Sequence, residues 1–438
     1  ITLTADLLEK DIIECKLNEN RLKYNRDNYI VLKYEQVKNE GFLDIYISTN
    51  GINSPVYIND INTGVSLAYD LKCISYKTQF SFVWEFVFIF MSCMMAYAVF
   101  RKKQLVDSFA VVPLMLSVIV YLLAILGLLG YSIYICLIIA CLCFGYVVIK
   151  LFQMEKNELE EVITKETICQ IICWGILLLF CIIGNKGKCV IESDPFTHWA
   201  FSVENIYMFD KLPFHAQSNM NNFRYPPLYS LFQYLCMKIY GNWSESILYF
   251  SKDFLLGSII IGCCSSKRLK NVWDVIFALI IGIGIPELFF NGNVLASIYV
   301  DEILGVVFGY TLICIYRMFY KSEKCIGEIF LAILSLGLIK ESGLILGAIL
   351  IFTVILILFT DQINLKIRWK VELRHAGICL FAIVLAYTTW HIYMALNVSK
   401  VTATTVSMNN NIVAAAGVSS NGIVEYLLGQ APEYKYQI

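Results

Sequence analysis

From residue 81 to residue 395 the chain is a succession of apolar stretches separated by short basic turns, and this leaves it few ways to fold. The stretches at 81–100, 108–129, 131–152, 168–184, 246–265, 272–290, 302–319, 326–339, 342–360 and 376–395 are each read as crossing a hydrocarbon core of about 30 Å. Composition agrees: 58% of the residues are hydrophobic and only 16% are charged, far from soluble-domain averages. The expected fold class is therefore mainly α, a polytopic membrane protein of about ten transmembrane helices. A net charge of −1 gives no basic field for nucleic acid, so no nucleic-acid partner is expected.

Positive charge follows the turns. Arg101, Lys102 and Lys103 form one group, Lys150 and Lys156 a second, Lys267, Arg268 and Lys270 a third. Arg317, Lys321 and Lys324 follow, then Lys366, Arg368, Lys370 and Arg374. If residues 1–79 lie outside, each of these groups falls on the cytoplasmic side, as the positive-inside rule requires. Two stretches strain the scheme: 246–265 contains Lys252 and Asp253, and 326–339 is short. Losing either would turn the downstream basic turns outward, so both are kept.

Residues 1–79 differ in pattern, with alternating segments such as GFLDIYIS and SPVYIND set between Asn, Gly and Asp turn signals. They are expected to form a small β-rich extracytoplasmic domain. Residues 80–400 form the transmembrane domain, with an outer loop at 185–245, and 401–438 an outer segment. Ile1 has no cleavable signal ahead of it and the other end has no tidy terminus, so a fragment or processed form is expected. Most of the sixteen cysteines sit in apolar runs, where cysteine packs as a small hydrophobe. No CxxC pair points to zinc. Cys15 and Cys73 flank the polar region and are candidates to pair in an oxidising compartment.

The densest polar chemistry lies in the run ESDPFTHWAFSVEN, at the start of the outer loop. Asp194 and Pro195 suit the N-cap and first turn of a helix, and apolar residues at 196, 199, 200, 203 and 207 continue it. An interfacial helix with aromatics toward lipid, and with Ser202, Glu204 and Asn205 toward water, is expected. His198 follows Asp194 by four residues and can face it as an acid/base pair, although histidines in such helices more often pack locally. Further along, Arg224-Tyr225-Pro226-Pro227 forms a rigid turn before LYSLFQYLCMKIY, a second amphipathic surface helix by its pattern. Arg224 can offer a fork to phosphate, or can snorkel to the membrane surface. Asp301 and Glu302 open one apolar stretch, and Lys340-Glu341 interrupts another. Charges there are either a binding site or solvated helix ends.

These residues resemble the integral-membrane glycosyltransferases of the GT-C type, which include the protein mannosyltransferases and bacterial relatives with a DEFSHW-like first outer loop. The match runs from Asp194-Pro-Phe196-Thr-His198-Trp199 through Leu212-Pro213 and Tyr225-Pro226-Pro227 to Tyr299-Val-Asp301 and Leu338-Ile-Lys340-Glu341-Ser-Gly343. It covers about residues 168–395 in the family's order and leaves the β-rich region out. Pro195 stands where the family often has a second acid, so the role of base falls on Asp194 alone.

The resemblance implies transfer of a sugar from a polyprenyl-phosphate donor to an acceptor hydroxyl on the outer face of a cell membrane, in a cell-envelope pathway. Asp194 would act as general base with His198 beside it, and Trp199, Arg224, Tyr225, Asp301 and Lys340 would bind substrate. The implied partners are the lipid-linked sugar, membrane lipid and a glycan or protein acceptor. No cofactor is assigned and no metal ligands are named; a divalent metal is left open. Two alternatives stand beside this one: a transporter or lipid flippase whose path is lined at 252, 253, 301 and 340, and a non-catalytic surface protein that binds a glycan or partner through residues 1–79.

Overall fold

The computed structural model of the chain describes residues 2–3, 33–34, 45–49, 52–56, 76–153, 164–188, 190, 195–214, 225–264, 269–284, 297–364 and 369–397. It divides at Ser81 into two units. The described strands of the first unit are a parallel pair, β1 (Thr2–Leu3) with β2 (Lys33–Tyr34), and an antiparallel hairpin, β3 (Ile45–Thr49) with β4 (Ile52–Val56). Cys15 and Cys73 lie outside the described residues.

The second unit is helical. Its elements are α1 (Tyr76–Arg101, which starts in the first unit), α2 (Ser108–Ile125), α3 (Ser132–Gln153), α4 (Lys165–Gly184), α5 (Phe201–Phe209) and α6 (Leu228–Tyr240). They are followed by α7 (Glu245–Gly262), α8 (Val272–Leu279), α9 (Val300–Tyr320), α10 (Ile326–Ile339), α11 (Ser342–Asn364) and α12 (Trp369–Asn397). Among the described residues six helices are long and apolar enough to cross a membrane, with α10 and α11 as shorter apolar helices. Helix still covers, in whole or part, the other segments read as spans, and the reasons they fall short are local. α7 carries Glu245, Lys252 and Asp253, and α8 gives way after eight residues to a π turn at Ile280–Gly284. The fourteen residues of α10 reach only about 21 Å at 1.5 Å per residue.

Aromatic residues spaced by four hold the first helix. Phe82, Phe86 and Phe90 of α1 line one face, and Phe86 meets Phe250 and Phe254 of α7 with ring centroids 5.2 and 4.9 Å apart. Phe90 reaches Phe232 of α6 as well. At the other extreme, α3 leaves Tyr134, Ile138, Leu142 and Ile149 exposed along one face, the kind of surface lipid covers.

The expected amphipathic surface helix at 228–240 is instead the centre of the bundle. α6 packs against α2, α3, α5, α7 and α10, and its polar residues Tyr229, Ser230, Gln233 and Tyr234 are all buried. Its amphipathic pattern marks a polar stripe that faces protein rather than water. Tyr234 donates to Asp210 Oδ1 at 2.7 Å and contacts Leu129 O at 3.1 Å, and Lys238 pairs with Asp210 at 2.5 Å. Asp210, in the left-handed region, ends α5, so these bonds fix where the loop turns back. α5 also departs from expectation: Asn205 is buried rather than wet, because Val203, Asn205 and Ile206 lie on the buried side of α5, which packs on α6.

The basic turns at Arg101–Lys103, Lys270 and Arg317–Lys324 meet at one end of the helices. Arg317, closing α9, donates to Asp107 ahead of α2 at 2.7 Å and to Glu323 at 2.6 Å. Glu328, opening α10, accepts from Lys103 and, at 2.6 Å, from Tyr97. Arg101 donates to Lys324 O at 3.1 Å, and Glu166, opening α4, pairs with Lys270 at 3.4 Å. Since α9 runs away from Asp301 and α10 runs back to Lys340, Asp301 and Lys340 share the opposite end.

The return from α10 to α11 is a close approach. A Cβ on Gly343 would run into the carbonyl oxygen of Leu336 and touch Leu304. Gly343→Ala is therefore expected to cost about 1–3 kcal/mol through overpacking, read as a lower apparent unfolding midpoint in detergent. An unchanged midpoint would show that the two helices can part at no cost.

Candidate functional site

At the end of the bundle opposite the basic turns, side chains from four separated segments meet. Helix begins at Pro195, where the sequence expects a first turn, but as a π turn over Pro195–Ala200 that runs into α5. π turns are rare and recur at functional sites. Trp199 on this turn is only 8% exposed, and its indole ring lies 5.7 Å from Tyr225 and 6.5 Å from Tyr229, centroid to centroid. Lys340 Nζ lies 5.9 Å from the Trp199 ring centroid and 2.7 Å from Asp301 Oδ1.

Each member sits where its local structure requires. Asp301 lies in the first turn of α9, where the helix dipole favours a carboxylate. Lys340 is the extended residue capping α10, held at the tight return that Gly343 permits. Tyr225 opens the turn before α6, whose Tyr229 donates to Ile298 O at 3.1 Å. Burial pushes the Tyr229 phenol well above its usual range, and nearby Glu302, Asp253 and Tyr249 push the same way.

Four of the seven residues named from the sequence thus come together: Trp199, Tyr225, Asp301 and Lys340. Asp301 is 62% exposed on its side chain, so the pair with Lys340 opens to one side of the cluster, while Trp199 and Tyr229 close the other. An ammonium between a carboxylate and an aromatic face suits an anion with an apolar tail: the cation meets the charge and the rings meet the chain. The indole Nε1 of Trp199 is buried with no hydrogen-bond partner among the described residues, leaving a donor for a ligand. His198 is half-buried on the same turn. Asp194 and Arg224 lie outside the described residues, so the proposed Asp194–His198 pair does too.

Behind the cluster lies a group that sequence reasoning named only in part. Lys252, fully buried in α7, lies 3.1 Å from Asp253 Oδ1 and 2.9 Å from Glu302 Oε2. Asn185 donates to Asp253 Oδ2 at 2.8 Å and Ser297 to Glu302 Oε1 at 2.9 Å. Asn185, Ser297 and Tyr229 carry no sequence signal of their own. The clue was that ionisable groups in apolar helices must find partners, and Lys252 with Glu302 is such a match. Among the described residues no set of three His, Cys, Asp or Glu side chains is placed to hold a metal.

No family model matches the chain, and neither does any curated protein or solved structure.

Proposed function

We propose that the chain is a membrane glycosyltransferase of the GT-C type, moving a sugar from a polyprenyl-phosphate donor to an acceptor hydroxyl on the outer face of the membrane. The observation that carries this is the convergence of Trp199, Tyr225, Asp301 and Lys340 at the end away from the basic turns. By the positive-inside rule the basic end faces the cytoplasm, so the cluster faces outward. The loop residues 185–245 then form the catalytic region, and about ten helices cross the membrane.

In the proposed reaction the acceptor oxygen forms a bond to the sugar's anomeric carbon as the bond from that carbon to the phosphate oxygen breaks. The acceptor proton goes to Asp194, and the bonding pair leaves on the polyprenyl phosphate. Lys340 meets the charge growing on that phosphate, and Arg224 adds a bidentate fork. Trp199 and Tyr225 offer apolar faces for the first part of the prenyl chain, and Asp301 orients Lys340 and an acceptor hydroxyl. An Asp of ordinary basicity gains most of its effect from positioning.

Membranes containing the chain, supplied with a panel of lipid-linked sugars, are expected to yield a covalent sugar product with at least one donor. Solute uptake into liposomes without such a product would instead establish a transporter or flippase, the alternative that the buried charges at Lys252, Asp253 and Glu302 favour. Lys340→Met is expected to raise KM for the donor about 10–100-fold, the scale of one charged hydrogen bond. The acceptor KM should move far less; equal changes in both would remove Lys340 from the donor phosphate.

A further inference from the structure

We propose that Lys252, Asp253 and Glu302 form a binding site for one exchangeable proton, held between the two carboxylates around the ammonium. The charge count comes first. Two carboxylates share a single ammonium within 3.1 Å, so with every group ionised the triad carries one excess negative charge. Lys252 and Asp253 are buried, and Glu302 is nearly so at 13% exposure of its side chain. An uncompensated charge in such surroundings is costly, and the group takes a proton instead.

The hydrogen bonds point the same way. Asn185 is buried and directs its amide at Asp253, yet its Oδ1 has no donor among the described residues. Buried acceptors in native folds are nearly always satisfied, and the site is short of hydrogens rather than of acceptors. The amide is fixed in this orientation because Nδ2 also donates to the Cys181 carbonyl at 2.9 Å, so the proton falls to Asp253 Oδ1 or to Glu302, whose Oε2 likewise accepts no hydrogen bond among the described residues. The neighbouring groups among the described residues do not remove the excess. Cys181 of α4, Tyr229 of α6 and Tyr249 of α7 carry no charge at neutral pH by the ordinary chemistry of a thiol and a phenol, and Asp301 pairs with Lys340. Lys188 attracts Asp253 at longer range, but it is half-buried over the Tyr249 ring and screened by solvent.

The site does not depend on which reaction the protein performs, and neither does its test. Infrared difference spectra of the full chain in lipid nanodiscs at neutral pH are compared with those of Glu302→Gln and Asp253→Asn. Either substitution leaves one carboxylate to balance Lys252, so the need for a proton disappears in both. The expected result is a protonated-carboxyl carbonyl band in the unsubstituted protein that shifts in heavy water and is lost in both variants. No such band in the unsubstituted protein, or one that survives in either variant, overturns the proposal. The first of these outcomes holds even if a variant fails to fold.

Discussion

Replacing Asp194 by Asn is expected to lower sugar transfer by about 10²–10⁴-fold, the usual worth of a positioned general base. This substitution separates two roles that Asp194 can hold together. Asn caps a helix about as well as Asp, so the cap that the sequence expects at this position would be kept. The amide, however, cannot take the acceptor proton. Expression and membrane insertion should therefore match the unsubstituted chain while product formation from the lipid-linked donor collapses. Asp194→Ala removes both roles and adds about 1 kcal/mol of instability from the lost cap. An Asn variant that transfers sugar at the original rate would end the assignment of Asp194 as base.

Lys252→Met is expected to cost about 3–5 kcal/mol, because it strips the shared cation from two buried carboxylates. Met keeps much of the side-chain volume, so the loss reports charge rather than a cavity. The decisive comparison is with the triple variant Lys252→Met, Asp253→Asn, Glu302→Gln. With no charge left to compensate, most of the loss should return, since replacing a whole buried ion group is often close to neutral. Apparent unfolding midpoints in one detergent provide the measurement. A triple variant no more stable than Lys252→Met would mean that packing, not electrostatics, holds this part of α7.

What the sequence made legible follows from where each interaction is encoded. Helix positions were readable because apolar runs and their breaks are local: 326–339 is helical at those residues, and the turns at Arg101 and Lys321 end helices. Trp199, Tyr225, Asp301 and Lys340 could be named because each stands at a break in such a run. Their meeting could not be derived, since it depends on α9 and α10 running antiparallel and on α6 lying inside. The sequence pattern puts α6 at the surface for a physical reason. A polar stripe has the same period whether it faces water or protein partners such as Asp210 and the Ile298 carbonyl. Pairings such as Arg317 with Asp107 and Lys103 with Glu328 span more than two hundred residues, and no local pattern records them.

The central position of α6 also bears on how the molecule is assembled. Thirteen residues with a polar stripe are too short and too wet to enter a bilayer unaided, whereas α2 and α9 are long and apolar enough to cross one. In a membrane, α6 would then dock after its neighbours, exchanging water for the hydroxyls and carbonyls they present. On the proposed membrane reading, folding is ordered in time: insertion of the long helices first, then closure of the core around α6. The cluster around Trp199, which leans on Tyr229, forms only at that last step.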